Sequence, residues 1–175
     1  MKKMTAFSSP SPALAVFKMP AEKAFPESGF FVALDDIRDP GNLGTILRLC
    51  DWFGVDGLIC SQGTVELYNP KVIQATMGSL TRIPVRYVDL PAYLKASKLP
   101  ILGTDMQGEN VYTTDFPRTG ILVMGNEANG MSAEVEATLT RTLTIPRFGK
   151  TQQTESLNVA MATSILLSEW ARRSC

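Results

Sequence analysis

The segment Thr144-Ile145-Pro146-Arg147-Phe148-Gly149-Lys150-Thr151-Gln152-Gln153-Thr154-Glu155-Ser156-Leu157-Asn158-Val159-Ala160 reads as a short apolar strand, a long polar loop and an abrupt helix start. Glu155 or Ser156 is placed to cap that helix, and Leu157, Met161, Ile165 and Ser168 then fall on one helical face. Pro146 removes one backbone donor and Gly149 permits a positive φ, so the chain can leave the strand with carbonyls and amides free. Free backbone groups ahead of a helix N-terminus suit a polar ligand read by its hydrogen-bonding edges. The plainer alternative is a strand-to-helix connection and nothing more.

Working outward from that segment, short apolar runs alternate with stretches of helical spacing. Residues 29–34 (GFFVAL), 57–60, 83–88, 100–104, 120–124 and 141–145 read as strands. Asn42 is a candidate cap for a helix whose inward face is Leu43, Ile46, Leu47, Cys50 and Phe53. Asn69-Pro70 opens another, with Val72, Ile73, Thr76 and Met77 inward, and further helices are expected at 90–98, 132–139 and 156–172. The strands are continuous apolar runs without alternation, which indicates burial on both faces. The fold class is therefore α/β, with a mostly parallel sheet flanked by helices. In such sheets ligands sit beyond the carboxyl ends of the strands, so the loops after Leu34, Thr104, Met124 and Ile145 are the places to look for chemistry. Residues 105–118 are polar and turn-rich. The first 28 residues are rich in Ser, Pro, Ala and Lys; residues 13–17 have the content of a short edge strand, but Pro10, Pro12, Pro20 and Pro26 surround it. Residues 1–28 thus read as an arm or linker, and 29–175 as one folded domain.

Composition fits that reading: 45% of the 175 residues are hydrophobic and 19% charged. No apolar run approaches the roughly 20 residues needed to cross a bilayer, and no apolar segment follows the N-terminal lysines as in a signal peptide. Cys50, Cys60 and Cys175 are scattered without metal-ligand spacing, as free thiols of a reducing compartment would be, so a cytoplasmic location away from membranes is expected. The chain has no histidine, which removes the usual general base and the commonest metal ligand. With 17 Lys and Arg against 17 Asp and Glu the net charge is zero, so a nucleic-acid contact must come from local clusters such as Arg38, Arg48, Arg147 and Lys150. Arg172 and Arg173 are placed to offset the dipole of the closing helix.

The loop Gly125-Asn126-Glu127-Ala128-Asn129-Gly130-Met131-Ser132 has the two glycines and the Ser of a phosphate-binding loop. Met131 stands where the Lys should be, and Glu127 puts a carboxylate where phosphate oxygens belong. No dinucleotide glycine pattern follows the first strand either. The loop is either a turn into a helix or a seat for a neutral or cationic ligand. Arg48, flanked by Ile46, Leu47, Leu49 and Cys50, is either a snorkelling surface residue or a clamp for phosphate or carboxylate.

Three stretches, in order and properly spaced, carry a resemblance: LDDIRDPGNLGTILRLCDWFGVDGLI (34–59), ILVMGNEANGMSAEV (121–135) and IPRFGKTQQTESLNVAMATSILLSEW (145–170). They resemble the three motifs of the SpoU (TrmH-type) RNA ribose 2′-O-methyltransferases of the SPOUT superfamily. The resemblance implies S-adenosyl-L-methionine as methyl donor without a metal, and a C-terminal deep trefoil knot made by the closing helix. It also implies a homodimer with the pocket near its interface, and a structured RNA (tRNA or rRNA) as acceptor. Carried over residue by residue, it implies catalytic roles for Asn42, Arg48, Glu127, Ser156 and Asn158. The implied cofactor contacts are Thr104, Gly125, Asn126, Glu127, Gly130, Ile145, Pro146, Leu157 and Asn158. The chain departs from the pattern in a loop after Pro146 that is a few residues longer, in Arg147 where a small residue or Met is common, and in Ala160 where Ser is frequent.

Methyl transfer to a ribose hydroxyl is an in-line displacement in which alignment alone supplies up to roughly 7–11 kcal/mol in ideal intramolecular cases. Ile121, Leu122 and Ile145 are the expected apolar walls for an adenine, with backbone groups near Gly125 and Leu157 reading its edge. Arg48 is expected to grip the phosphate beside the target ribose, its geometry fixed by Asn42 and Ser156. A base methyltransferase of the same fold and a non-catalytic RNA-binding protein are the alternatives.

Overall fold

A computed structural model describes residues 15–19, 24–151 and 156–174. Six strands, β1 (Phe30–Leu34), β2 (Gly57–Ser61), β3 (Val85–Val88), β4 (Ile101–Asn110), β5 (Gly120–Met124) and β6 (Arg141–Thr144), form one sheet in the order β3-β2-β1-β5-β4-β6. Every neighbouring pair is parallel. β1 and β5 sit at the centre with Val32 opposite Leu122, and both are buried along their whole length. Their unbroken apolar runs have this cause: each face of the sheet is covered.

One face carries α1 (Pro40–Phe53), α2 (Pro70–Thr76) and α5 (Val159–Ser174), whose Leu43, Leu47, Val72, Leu166 and Leu167 pack with Val32, Leu34 and Leu122. The other face carries α3 (Leu90–Ala96) and α4 (Ala133–Glu136), whose Leu90, Leu94 and Val135 pack with Phe31, Ala33 and Val123. The chain runs outward from β1 through β2 to β3, then returns to place β5 on the other side of β1. The loops after β1 and β5 therefore part at a topological switch point, where such sheets open a crevice.

Several local expectations are corrected. Asp39, not Asn42, caps α1: its side chain accepts the Asn42 amide at 2.8 Å, with Pro40 at the first helical position. The Asn42 side chain is thereby left for other work. The closing helix starts at Val159, capped by Asn158, whose Oδ1 accepts the amides of Ala160 and Met161 at 3.0 and 3.2 Å; Ser156 precedes the helix, and Glu155 lies outside the described residues. The buried face of α5 is Val159, Ala160, Thr163, Leu166, Leu167 and Trp170, whereas Leu157 and Met161 are exposed. Ile73 and Met77 are likewise exposed while Val72 and Thr76 are buried. The third strand begins at Val85 rather than Ile83, and α4 ends at Glu136. β4 continues through the polar stretch to Asn110 by a register shift between Thr104 and Glu109 against β6.

Residues 13 and 14 lie outside the described residues, and 15–19 are exposed without strand pairing. Phe25 stacks on Phe31 with ring centroids 5.1 Å apart, so the packed unit includes residues ahead of Gly29. Gly149 does not adopt a positive φ. Arg173 does not serve its own helix end: its guanidinium donates to the carbonyls of Tyr112 and Thr114, tying α5 to the turn after β4.

Candidate active site

At the switch point, the Asp35 carboxylate that follows β1 accepts both the amide and the hydroxyl of Ser132, at 2.7 and 2.8 Å. The Asn126 side-chain amide donates to the Asp36 carbonyl at 2.7 Å. These bonds staple the loop after β5 onto the loop after β1. Within the stapled loop Asn126 and Gly130 exchange backbone hydrogen bonds, and Gly130 takes φ +71°. A Cβ on Gly125 would lie 2.5 Å from the Gly130 and Met131 backbone, so only glycine allows the turn to close. Asn126 Oδ1 accepts the amides of Ala128 and Asn129, which spends them inside the loop instead of aiming them at a phosphate.

The turn projects Glu127 towards the N-termini of α1 and α5. Its Oε1 accepts three bonds: from Asn42 Nδ2 at 3.0 Å, Asn158 Nδ2 at 2.8 Å and the Val159 amide at 3.1 Å. Asn158 Nδ2 also lies 3.0 Å from Asn42 Oδ1, which closes a triangle of side chains from three distant segments. A carboxylate at the start of α5 is favoured by the partial positive charge of unpaired helix amides.

Beside this cluster lies a pocket of about 420 Å³ beyond the carboxyl ends of β5 and β6 and against the middle of β4, within the size range of small-molecule sites. Its walls include Thr104, Gly125, Asn126, Glu127, Gly130, Ile145, Pro146, Ser156 and Leu157. Asn158 stands in the side-chain triangle rather than in the wall. Ile121 and Leu122 do not reach the pocket and are buried early in β5; Ile145 lines it as expected, with Met124 and Leu143 among the other apolar side chains of the wall. Sequence reasoning missed Asp105, Met106 and Phe148, which also line it. The polar run 105–110 lacked an apolar strand signal, although Gly108 within it hinted at a bulge. Arg48 is exposed on α1, outside the pocket wall, and bonds to no side chain among the described residues. Of the other expected cations, Arg38 pairs with Asp36 at 3.0 Å and Arg147 Nη2 lies 3.5 Å from Met106 Sδ.

Cys50 and Cys60 are buried free thiols. Burial pushes the Cys60 thiol up to about 12 and raises Cys50 as well, so neither supplies a thiolate near neutral pH. No His, Cys, Asp and Glu cluster among the described residues is arranged to hold a metal ion. The site offers an apolar slot, carboxylates at Asp105 and Glu127, and strand-end backbone groups. That set suits a cationic ligand with an aromatic end.

Residues 29–168 match the model of the SpoU rRNA Methylase family. The chain is 35% identical over 169 residues to the 23S rRNA (guanosine(2553)-2′-O)-methyltransferase RlmP of Bacillus subtilis, an alignment covering 94% of this chain and 66% of that protein. It is 32% identical to the 23S rRNA (uridine(2479)-2′-O)-methyltransferase of Streptomyces viridochromogenes, across 94% of this chain and 61% of that one. Among solved structures, a TrmH-family protein from Porphyromonas gingivalis superposes with a TM-score of 0.87 at 42% identity, over 99% of this chain and 71% of its own. The SpoU methyltransferase AviRb of Streptomyces viridochromogenes, in complex with AdoMet, superposes at 0.78 with 30% identity, over 89% and 63%. The chain thus spans between about half and two thirds of the first curated relatives, 54% to 66%.

Proposed function

This chain belongs to the SpoU rRNA methylase family, and on that premise we propose that it methylates a ribose 2′-hydroxyl of structured RNA, rRNA or tRNA, with S-adenosyl-L-methionine as donor. The observation that carries the reading is the triangle of Asn42, Glu127 and Asn158 beside an apolar pocket at the switch point. When bound, S-adenosyl-L-methionine supplies an activated methyl group on a sulfonium. Met124, Leu143 and Ile145 would hold its adenine, and the carboxylates of Glu127 and Asp105 would supply the negative charge that a sulfonium and an ammonium prefer.

Methyl transfer breaks a carbon–sulfur bond, forms a carbon–oxygen bond and releases the hydroxyl proton. The protein's share is alignment, exclusion of water and stabilisation of the developing alkoxide. Glu127, held from three sides, fixes the turn that forms one wall of the pocket and the start of α5 that forms another. Arg48, exposed on the same helix as Asn42, is the guanidinium available to grip a phosphate next to the target ribose, its planar fork of donors matching the phosphate oxygens. Ser156 lines the pocket and completes the polar rim.

The chain is further proposed to act as a homodimer. Trp52 is 82% exposed and Met77 72%, and Leu157 and Met161 are exposed around the start of α5, which makes them the apolar side chains a second copy would cover. The C-terminal trefoil knot is proposed from membership of the fold family. No helix among the described residues is long and apolar enough to cross a membrane; a cytoplasmic site of action is proposed from the free thiols and the RNA substrate.

Calorimetry with S-adenosyl-L-methionine tests the pocket. We expect one site per chain, weakened in Glu127→Ala and Asn158→Ala. No binding by the wild-type chain, or equal binding by all three proteins, contradicts the assignment.

A further inference from the structure

Taking RNA as the acceptor, as proposed above, we propose that Tyr112 and Phe148 form a stacking platform at the pocket rim for an unstacked nucleobase of that RNA. Phe148 is 80% exposed and at the same time lines the pocket. Tyr112 lies beside it, 38% exposed, with ring centroids 6.0 Å apart and planes tilted by 39°. A single exposed aromatic on a surface needs no explanation, but two adjacent rings at the mouth of a ligand pocket do.

The platform is built. The Tyr112 amide donates to Asn110 Oδ1 at 2.9 Å, and the amides of Thr113 and Thr114 donate to the Asn110 carbonyl at 3.1 and 3.0 Å. The Val111 amide donates to the Thr144 carbonyl at 3.0 Å, and the Tyr112 carbonyl accepts from Arg173 at the end of α5. The Tyr112 turn is thus sewn to β6 and to the C-terminal helix. Phe148, four residues past the end of β6, meets that fixed ring.

Charge beside the rings favours RNA over an apolar partner. Arg147 directs its guanidinium across the rim to Met106 Sδ, and Lys150 is exposed two residues past Phe148. Single-stranded RNA is held in this way, with bases splayed onto aromatic faces and the backbone held by cations. Glu127 and Phe148 line the same pocket, which suits the reaction as well. A ribose presented to the Glu127 end of the pocket carries its own base one glycosidic bond away, and its neighbour one phosphate further.

The test uses the whole chain and its Phe148→Ala, Phe148→Leu, Phe148→Trp and Tyr112→Ala variants. The probe is a pool of unmodified rRNA and tRNA transcripts. Filter binding gives RNA affinity, calorimetry gives affinity for S-adenosylhomocysteine, and methyl transfer is followed in the same samples. Loss of one base–aromatic stack is expected to weaken RNA binding roughly 5- to 100-fold in the Ala and Leu variants. Trp should stay within about threefold of wild type because it stacks as well as Phe. S-adenosylhomocysteine affinity should be unchanged throughout. Full RNA affinity in Phe148→Leu overturns the platform, since apolar bulk would then suffice. A parallel loss of S-adenosylhomocysteine binding overturns it too, making Phe148 a wall of the cofactor site, and so does absence of RNA binding by the wild-type chain. The expected pattern without methyl transfer keeps the platform and removes the methylation reading; methyl transfer with one RNA affinity across all variants does the reverse.

Discussion

Glu127 gathers three donors on one carboxylate oxygen: two side-chain amides from helices far apart in sequence and one backbone amide at the start of α5. Truncation to Ala leaves all three without that acceptor. Because the cluster is open to water on one side, the loss should be about 1–2 kcal/mol, or roughly 5- to 30-fold in S-adenosyl-L-methionine affinity by calorimetry. Asn158 has two duties, holding Glu127 through Nδ2 and capping α5 through Oδ1. Asn158→Asp keeps the cap but sets a second carboxylate against Glu127, so it should retain thermal stability better than Asn158→Ala while binding the cofactor no better. Arg48 separates phosphate grip from proton removal. If it grips, Arg48→Lys should keep much of kcat while KM for RNA rises, and Arg48→Ala should lose both; a pH–rate profile displaced in Arg48→Lys would instead make it the base.

At the scale of elements, the loop after β5 depends on backbone contact. Gly125→Ala forces a methyl group against the Gly130 and Met131 backbone and should cost about 1–3 kcal/mol of stability, read as a lowered Tm together with weakened cofactor binding. The end of α1 is tied down differently. The Arg82 guanidinium, and after it the Ser79 hydroxyl, hold the Asp51 carboxyl below its ordinary value. A lowered folded pKa means stability present above the unfolded value of about 4 and lost as pH falls through the folded one. Wild type should therefore exceed Asp51→Asn in urea melts at pH 7, and the gap should close as the pH is taken below about 4. These elements also show what the sequence disclosed. Continuous apolar runs marked β1, β2 and β5 because two covered faces leave no polar positions to alternate. The α1 cap was misplaced by three residues although Asp39-Pro40 carried the stronger signal, an acceptor followed by proline. Leu157, which precedes α5, and Met161 share a helical spacing with Ile165, but Val159, Thr163 and Trp170 make the equally regular buried face of that helix. Spacing alone does not choose between two apolar stripes. The far half of β4 was hidden because its pairing with β6 comes after a register shift and its residues face water.

At the scale of the whole molecule, the three motif segments meet because the sheet order sets β1 beside β5 and brings α5 back against α1. Motif identity named Asn42, Glu127 and Asn158, but their mutual hydrogen bonds belong to the fold and no local pattern contained them. The zero net charge fits the proposed RNA contact only if local cations carry it, and a second copy in the proposed dimer would double that patch. Sedimentation should show a dimer, and Trp52→Glu should shift it towards monomer if that exposed ring lies in the interface. The most direct test of the account is the position of the transferred methyl. Unmodified rRNA and tRNA transcripts are incubated with the chain and methyl-labelled S-adenosyl-L-methionine, then hydrolysed in alkali, which cuts only where a 2′-hydroxyl is free. Label in alkali-resistant dinucleotides is the predicted result; label in mononucleotides would place the methyl on a base and contradict it.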